Sequence, residues 1–370
     1  MIQRHVSVNL GDMMKLSSLV MLSILPIVIG VSALASSSDN DAYPRIIVDS
    51  SGQEVTIYKP LERIVVFNSE TVETVRSLKA QDKIIGVGRY TLEDPIYFPE
   101  LSSLPGVGSV WTPDIEAVLE LHPDAVFVYG TFMKSSVDEI QETLEAADPS
   151  LVVVRVDCYI PESYEEEVRI LGYILDREEE AEEFLEFYRG AIGPIETIVS
   201  VLDETDKPAI YFESWVDFRT ATQGAAWHDK LVMAGGENVF GDLALSYTDI
   251  DPESVIERNP EIVVKLCGAG SRNFGGYGED DPSQLEGLRE EVVSRPGWGT
   301  LDAVKNDRVY ILSNDILGGA RHFIGIAYLA KLFHPELFAD LDPAAVHQEY
   351  LSRFQGLDFR GVYMYPEILM

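Results

Sequence analysis

Basic residues are scarce in this chain. Lysine and arginine number 28 against 62 aspartates and glutamates in 370 residues, a formal net charge of −34. Nucleic acid and anionic lipid head groups both need a basic surface, so neither is a partner of such a protein. Cysteine is nearly absent. Cys158 and Cys267 cannot build a disulfide framework; one disulfide between them is conceivable, but two buried thiols are expected. No CxxC or HxxxH spacing exists to hold a metal. Catalytic signatures are missing as well. There is no G-x-S-x-G elbow or cysteine–histidine signature, and the glycine-rich stretch Gly268 to Gly278 is followed by no GK[ST], so it is not a phosphate loop.

What remains is an ordinary globular composition, 46% hydrophobic and 24% charged, long enough for two α/β lobes with separate cores. Only one apolar run has membrane length. Leu16 to Leu34 follows Arg4, His5 and Lys15 and ends in Ala33-Leu34-Ala35, the pattern of a secretory signal peptide over residues 1–35. An uncleaved anchor is the alternative, although Pro26 and Gly30 interrupt the run. Met13 or Met14 is a tidier start than Met1, and no cysteine follows to carry a lipid. Residues 36–43 read as a polar spacer. The chain beyond them is expected to be exported.

The stretch Asp176 to Leu202 divides the rest. Ala181, Phe184, Leu185, Tyr188, Ile192, Ile195, Ile198 and Leu202 recur at steps of three and four, the apolar stripe of a helix roughly 40 Å long. Such a helix either bridges two domains or lies on the surface of one. Pro194 predicts a kink, or two helices abutting there.

On either side, strand and helix signals alternate. Arg45 to Ile57 reads as a hairpin; Arg63 to Phe67, Lys83 to Val87, Ala125 to Val128 and Leu151 to Val154 read as buried parallel strands. Ala209 to Phe212, the strand ending at Lys265, and Arg308 to Leu312 repeat the pattern after the divide. Two segments match in detail. Asp114-Ile-Glu116-Ala-Val118-Leu119-Glu120 parallels Asp251-Pro-Glu253-Ser-Val255-Ile256-Glu257, and each leads to a proline, Pro123 or Pro260, and then a strand. The halves therefore echo each other: an N-terminal α/β lobe over 44–160, a helical segment over 161–207 and a C-terminal α/β lobe over 208–370.

Taken together, Arg63-Ile64-Val65-Val66, Pro113 to Val128, Ala234 to Phe240, Arg295-Pro296-Gly297-Trp298 and Ala303 to Tyr310 resemble a known family. It comprises the extracytoplasmic substrate-binding proteins of ABC importers for iron chelates, haem and cobalamin. The resemblance implies the class III fold: two Rossmann-like lobes with mainly parallel sheets, joined by one long helix and opening little. It also implies a monomer without a resident cofactor, docking onto permease arginines through one glutamate on each lobe, which fall here at Glu116 and Glu253. A related branch binds molybdate or tungstate.

The ligand is expected between the lobes, at the carboxyl ends of the strands. Arg89, Tyr90, Trp111, Tyr129, Phe132 and Tyr159 stand there in the first half; Trp215, Trp227, Arg272, Phe274, Tyr277, Arg321 and His322 stand there in the second. The aromatics suit a flat or bulky metal chelate, and the arginines point to anionic groups on it. His228 or His322 is a candidate direct iron ligand. Two other classes compete: an exported hydrolase using Asp157, Glu213 or Asp315 as acid and base, and a sensor domain with no use for Glu116 and Glu253.

Overall fold

Two sheets form, one on each side of a long helix. The computed structural model describes residues 43–368; the leader over 1–35 and nearly all of the spacer lie outside the described residues. In the first lobe the strands run in the order Ile84–Val87, Ile64–Val66, Ala125–Val128, Val152–Arg155, all parallel. The second lobe repeats this order with Glu237–Asn238, Ala209–Glu213, Ile262–Cys267 and Val309–Ser313, then adds an antiparallel edge, Met364–Tyr365. Nearly every residue in these strands is buried, as expected of parallel strands covered on both faces.

The first strand of each lobe sends its chain through a helix to one side, while the third strand lies on its other side. Each sheet thus has a topological switch point, between Ile64–Val66 and Ala125–Val128 in one lobe and between Ala209–Glu213 and Ile262–Cys267 in the other. The segments matched in the sequence occupy equivalent places. Each is preceded by a short antiparallel ribbon, Gly108–Ser109 with Thr112–Pro113 or Arg219–Ala221 with Tyr247–Asp249. Each then begins a helix at an aspartate cap. The Asp114 carboxylate accepts from the Ala117 N–H at 3.0 Å, and that of Asp251 from the Glu253 N–H at 2.8 Å.

The dividing helix is a single element, Glu178–Val199, and it continues through Pro194. Pro194 lies on the exposed face, so the Gly190 carbonyl deprived of its donor opens towards solvent and no break is forced. Three glutamates in the first turn complement the dipole. The buried stripe touches both lobes. Phe184 packs edge-on against Tyr164, Phe323 and Phe354, while Tyr188 lies against Tyr164, His322 and Phe323.

Separate cores were expected, and the structure corrects this. One hydrophobic cluster runs from Ile64 and Val72 through Phe184 and Tyr188 to Phe212, Phe323 and Tyr350. Only the outer face of each sheet has a layer of its own, around Val126 and Val153 in one lobe and around Tyr211 and Trp298 in the other. The chain end adds to the join. The helix Pro343–Glu349 continues into a wider turn, Tyr350–Gln355, which returns to the first lobe. There the Tyr350 hydroxyl donates to Glu73 at 2.6 Å, and Gln355 accepts from Arg76 at 2.5 Å.

A buried ion cluster holds the second sheet. Glu213 receives Lys265 at 2.7 Å, both Arg295 nitrogens at 2.8 Å and the Tyr211 hydroxyl at 2.7 Å. Burial alone would raise the Glu213 carboxyl, but the Arg295 hydrogen bonds and the Lys265 charge outweigh it and hold it below the usual glutamate range. Its contribution is therefore present above the ordinary glutamate pKa and is lost as pH falls through the lowered folded value. Glu213→Gln strands a buried ammonium with only Asp217 for company. It should lower stability by about 3 kcal/mol in urea titrations at neutral pH, with a smaller deficit in acid.

Candidate functional site

The carboxyl ends of the first-lobe strands carry a chain of rings. Tyr90 meets Trp111 edge-on at 5.9 Å, Trp111 meets Phe132 at 5.7 Å, Phe132 meets Tyr129 at 5.2 Å and Tyr129 meets Tyr159 at 6.2 Å. All five were expected at this site, and the fold brings them together. Trp111, Tyr90 and Phe132 remain 48%, 38% and 39% exposed. Aromatics left open to solvent yet packed in sequence form a wall without a partner. Trp111 owes its place to the ribbon turn, where Gly108 has φ +77° and a side chain would strike the Thr112 carbonyl.

The second lobe offers a shorter wall. Trp215 stands perpendicular to Trp227 at 5.2 Å, and Trp227 meets Tyr247 at 5.5 Å. Tyr247 was not anticipated, although it is half exposed and prominent. Leu243, Leu245 and Tyr247 alternate at a strand's spacing of two, and that was the available signal. The two walls sense each other: burial raises the Tyr159 hydroxyl pKa, and Asp157 and the Tyr247 hydroxyl of the other lobe add to it.

Between the walls lie two ionisable groups that the sequence reading also missed, one half-buried and one buried. Glu70, in the first turn of the helix Ser69–Ser77, accepts from the Tyr129 hydroxyl at 2.9 Å, and burial raises its carboxyl pKa. Lys230, in the helix Ala226–Met233, donates to the Leu317 carbonyl at 2.8 Å. Burial pulls its ammonium down to about 7, opposed by the Glu70 and Asp229 charges.

The arginines expected to meet an anionic ligand are committed elsewhere. Arg321 is buried, 3.2 Å from Glu73 and with its guanidinium 3.7 Å from the centre of the Tyr97 ring, so it joins the lobes. Arg272 bonds Glu291 at 2.8 Å and lies 3.8 Å from Asp217. Arg89 remains at the surface, paired with Glu93 at 3.2 Å. Tyr277 is buried too. It meets Tyr97 of the first lobe edge-on at 5.4 Å and belongs to the inter-lobe contact. Phe274 packs on the outer core layer.

Neither histidine offers a metal site. His322 is fully buried, its Nδ1 3.1 Å from the Gly319 carbonyl and its ring against Tyr164. His228 pairs its Nδ1 with the Asn238 amide at 3.1 Å. Among the described residues no group of three or more histidine, cysteine or acidic side chains is placed to hold a metal ion. Cys158 and Cys267 are buried free thiols. The carboxylates considered for catalysis are structural. Glu213 is clamped as above, Asp157 accepts from the Gly130 and Thr131 N–H groups, and Asp315 accepts from the Tyr277 N–H.

Glu116 and Glu253 stand exposed in the first turns of equivalent helices, and no ion pair forms at either among the described residues. No helix of the described residues is long and apolar enough to cross a membrane.

Comparison with known proteins agrees with this architecture. Residues 64–316 match the model of a family described as periplasmic binding protein. An uncharacterized ABC transporter substrate-binding lipoprotein of Bacillus subtilis is 24% identical over 304 residues, covering 81% of this chain and 88% of that one. A molybdate-binding protein of Haemophilus influenzae is 21% identical, covering 94% of this chain and 98% of that one. The crystal structure of a TroA-like periplasmic binding protein from Veillonella parvula superposes with a TM-score of 0.75 at 25% identity, covering 87% of this chain and 99% of that one. The chain belongs to the periplasmic binding protein family, and as the substrate-binding component of an ABC importer it is a carrier and not an enzyme.

Proposed function

We propose that this protein works outside the cytoplasmic membrane, capturing a metal chelate between its lobes and handing it to the permease. The observation that carries the reading is the pair of aromatic walls, Tyr90 to Tyr159 on one lobe and Trp215 to Tyr247 on the other. Stacked and edge-on rings recognise a broad, partly apolar body. Similar proteins are named for both kinds of cargo: iron uptake and vitamin B12 on one side, molybdate on the other. A small oxyanion needs converging donors or cations rather than rings, so the chelate is favoured. The metal arrives inside the cargo, the protein needs no resident cofactor, and a monomer suffices.

Of the residues expected at the ligand, Tyr90, Trp111, Tyr129, Phe132, Tyr159, Trp215 and Trp227 keep that role in our proposal, and Tyr247 joins them. Glu116 and Glu253 are the docking points. An exposed ion pair contributes only about 0–1 kcal/mol, so two of them fix orientation more than they add affinity. Export as a secreted or N-terminally anchored protein fits the apolar run Leu16 to Leu34.

Protein purified from its own source should carry a visible chromophore of a metal chelate, with the matching mass in native mass spectrometry; a colourless oxyanion adduct would sink the reading. Phe132→Ala should weaken chelate binding about tenfold, followed by tryptophan fluorescence, while leaving the fold intact because the side chain is 39% exposed and belongs to none of the core clusters. The double variant Glu116→Lys, Glu253→Lys should abolish uptake in reconstituted transporter and leave ligand affinity unchanged. Undiminished uptake would remove both residues from the docking surface.

A further inference from the structure

We infer that the chelate carries no net negative charge: the cleft takes an uncharged or cationic complex and rejects polyanions of similar size. This rests on the reading above that the cargo is a chelate, and three observations lead to it.

First, every lysine and arginine among the described residues is already held by a carboxylate, a carbonyl or an amide oxygen. Those beside the rings are Arg89 with Glu93, Arg219 with Asp249 at 2.8 Å and Arg272 with Glu291, while Lys230 between the walls is buried and spends a donor on the Leu317 carbonyl. The cations further off are held in the same way. An anionic ligand could recruit Arg89, Arg219 or Arg272 only by stripping a carboxylate of its partner, and the chain already has more than twice as many acids as bases.

Second, the usual anion sites of such a fold are filled from within. Oxyanions bind at the N-termini of the helices that follow the switch-point strands, where N–H groups and the dipole converge. Here the helix Ser69–Ser77 places Glu70 in its first turn, and the helix Ala226–Met233 places Asp229 in its first turn. Each of these helices thus already carries a carboxylate in its first turn, where the dipole would otherwise favour an anionic ligand.

Third, ring faces carry negative quadrupole density, which attracts cations and repels anions. With Glu93, Asp217 and Asp249 paired to the cations near them and Asp229 exposed with no ion pair among the described residues, two walls of rings leave the cleft no net positive potential to offer an anion.

The test is isothermal titration of the full-length protein with four probes: cyanocobalamin (neutral), ferrioxamine B (a cationic ferric hydroxamate), ferric enterobactin (a tris-catecholate trianion) and molybdate. We expect the neutral or the cationic chelate to bind with Kd below about 10 μM, and the trianion and molybdate at least about 100-fold more weakly. Affinity for a neutral probe should change less than about twofold when ionic strength rises from about 0.05 to 0.5 M. Tight, salt-sensitive binding of the tris-catecholate would overturn this inference and leave chelate capture standing. Binding of molybdate alone, or of none of the four, would overturn chelate capture and this inference with it.

Discussion

The packing of one helix against both lobes is the constraint on which the molecule depends. Phe184 and Tyr188 sit in a ring cluster drawn from Tyr164 on one side and from His322, Phe323, Tyr350 and Phe354 on the other. Because this cluster belongs to a single hydrophobic core, the lobes cannot separate without opening it. A closely packed interior repacks in discrete steps and does not stretch. The width of the cleft is therefore largely set before ligand arrives. Arg321 against Glu73 and the returning Tyr350–Gln355 turn add polar ties on the same seam. A preset gap suits a rigid cargo, since little binding energy is lost in ordering the protein.

The repeat of one topology explains why the site is built from both lobes. Each switch point delivers rings at its strand ends, and each lobe also supplies a ribbon whose aromatic, Trp111 or Tyr247, joins its wall. The same ribbons lead directly into the capped helices bearing Glu116 and Glu253. Ligand wall and docking knob thus share one short piece of chain in each half. A duplicated α/β unit gives this arrangement once per copy, with no further design.

Much of this was legible beforehand, and the reasons are local. Parallel strands buried on both faces read as apolar runs, and the dividing helix declared itself through its three-and-four spacing from Ala181 to Ile195. Asp114 and Asp251 were readable as caps because the cap is a contact within four residues. The first-lobe rings followed from strand ends alone. Long-range pairing was not legible. Arg321 meets Glu73, Tyr350 also meets Glu73, and Lys230 meets Leu317, all at separations that no periodicity encodes. Pro194 left two abutting helices open for a related reason: whether a proline breaks a helix depends on which face it occupies, and only packing decides that.

The arginines give the sharpest lesson about composition. In a chain with balanced charge, an arginine at a strand end that faces a cleft is a fair sign of an anionic ligand. With 62 acidic and 28 basic residues, each cation has on average more than two carboxylates competing for it, and a folded surface this acidic repels itself wherever cations are withheld. Arg272 illustrates the outcome, drawn to Glu291 and towards Asp217 and away from any free position. Self-neutralisation comes first, and a ligand can use only the cations left over. In this cleft the residues left over are rings, so recognition has to run through shape, apolar contact and π density, with charge acting chiefly to exclude.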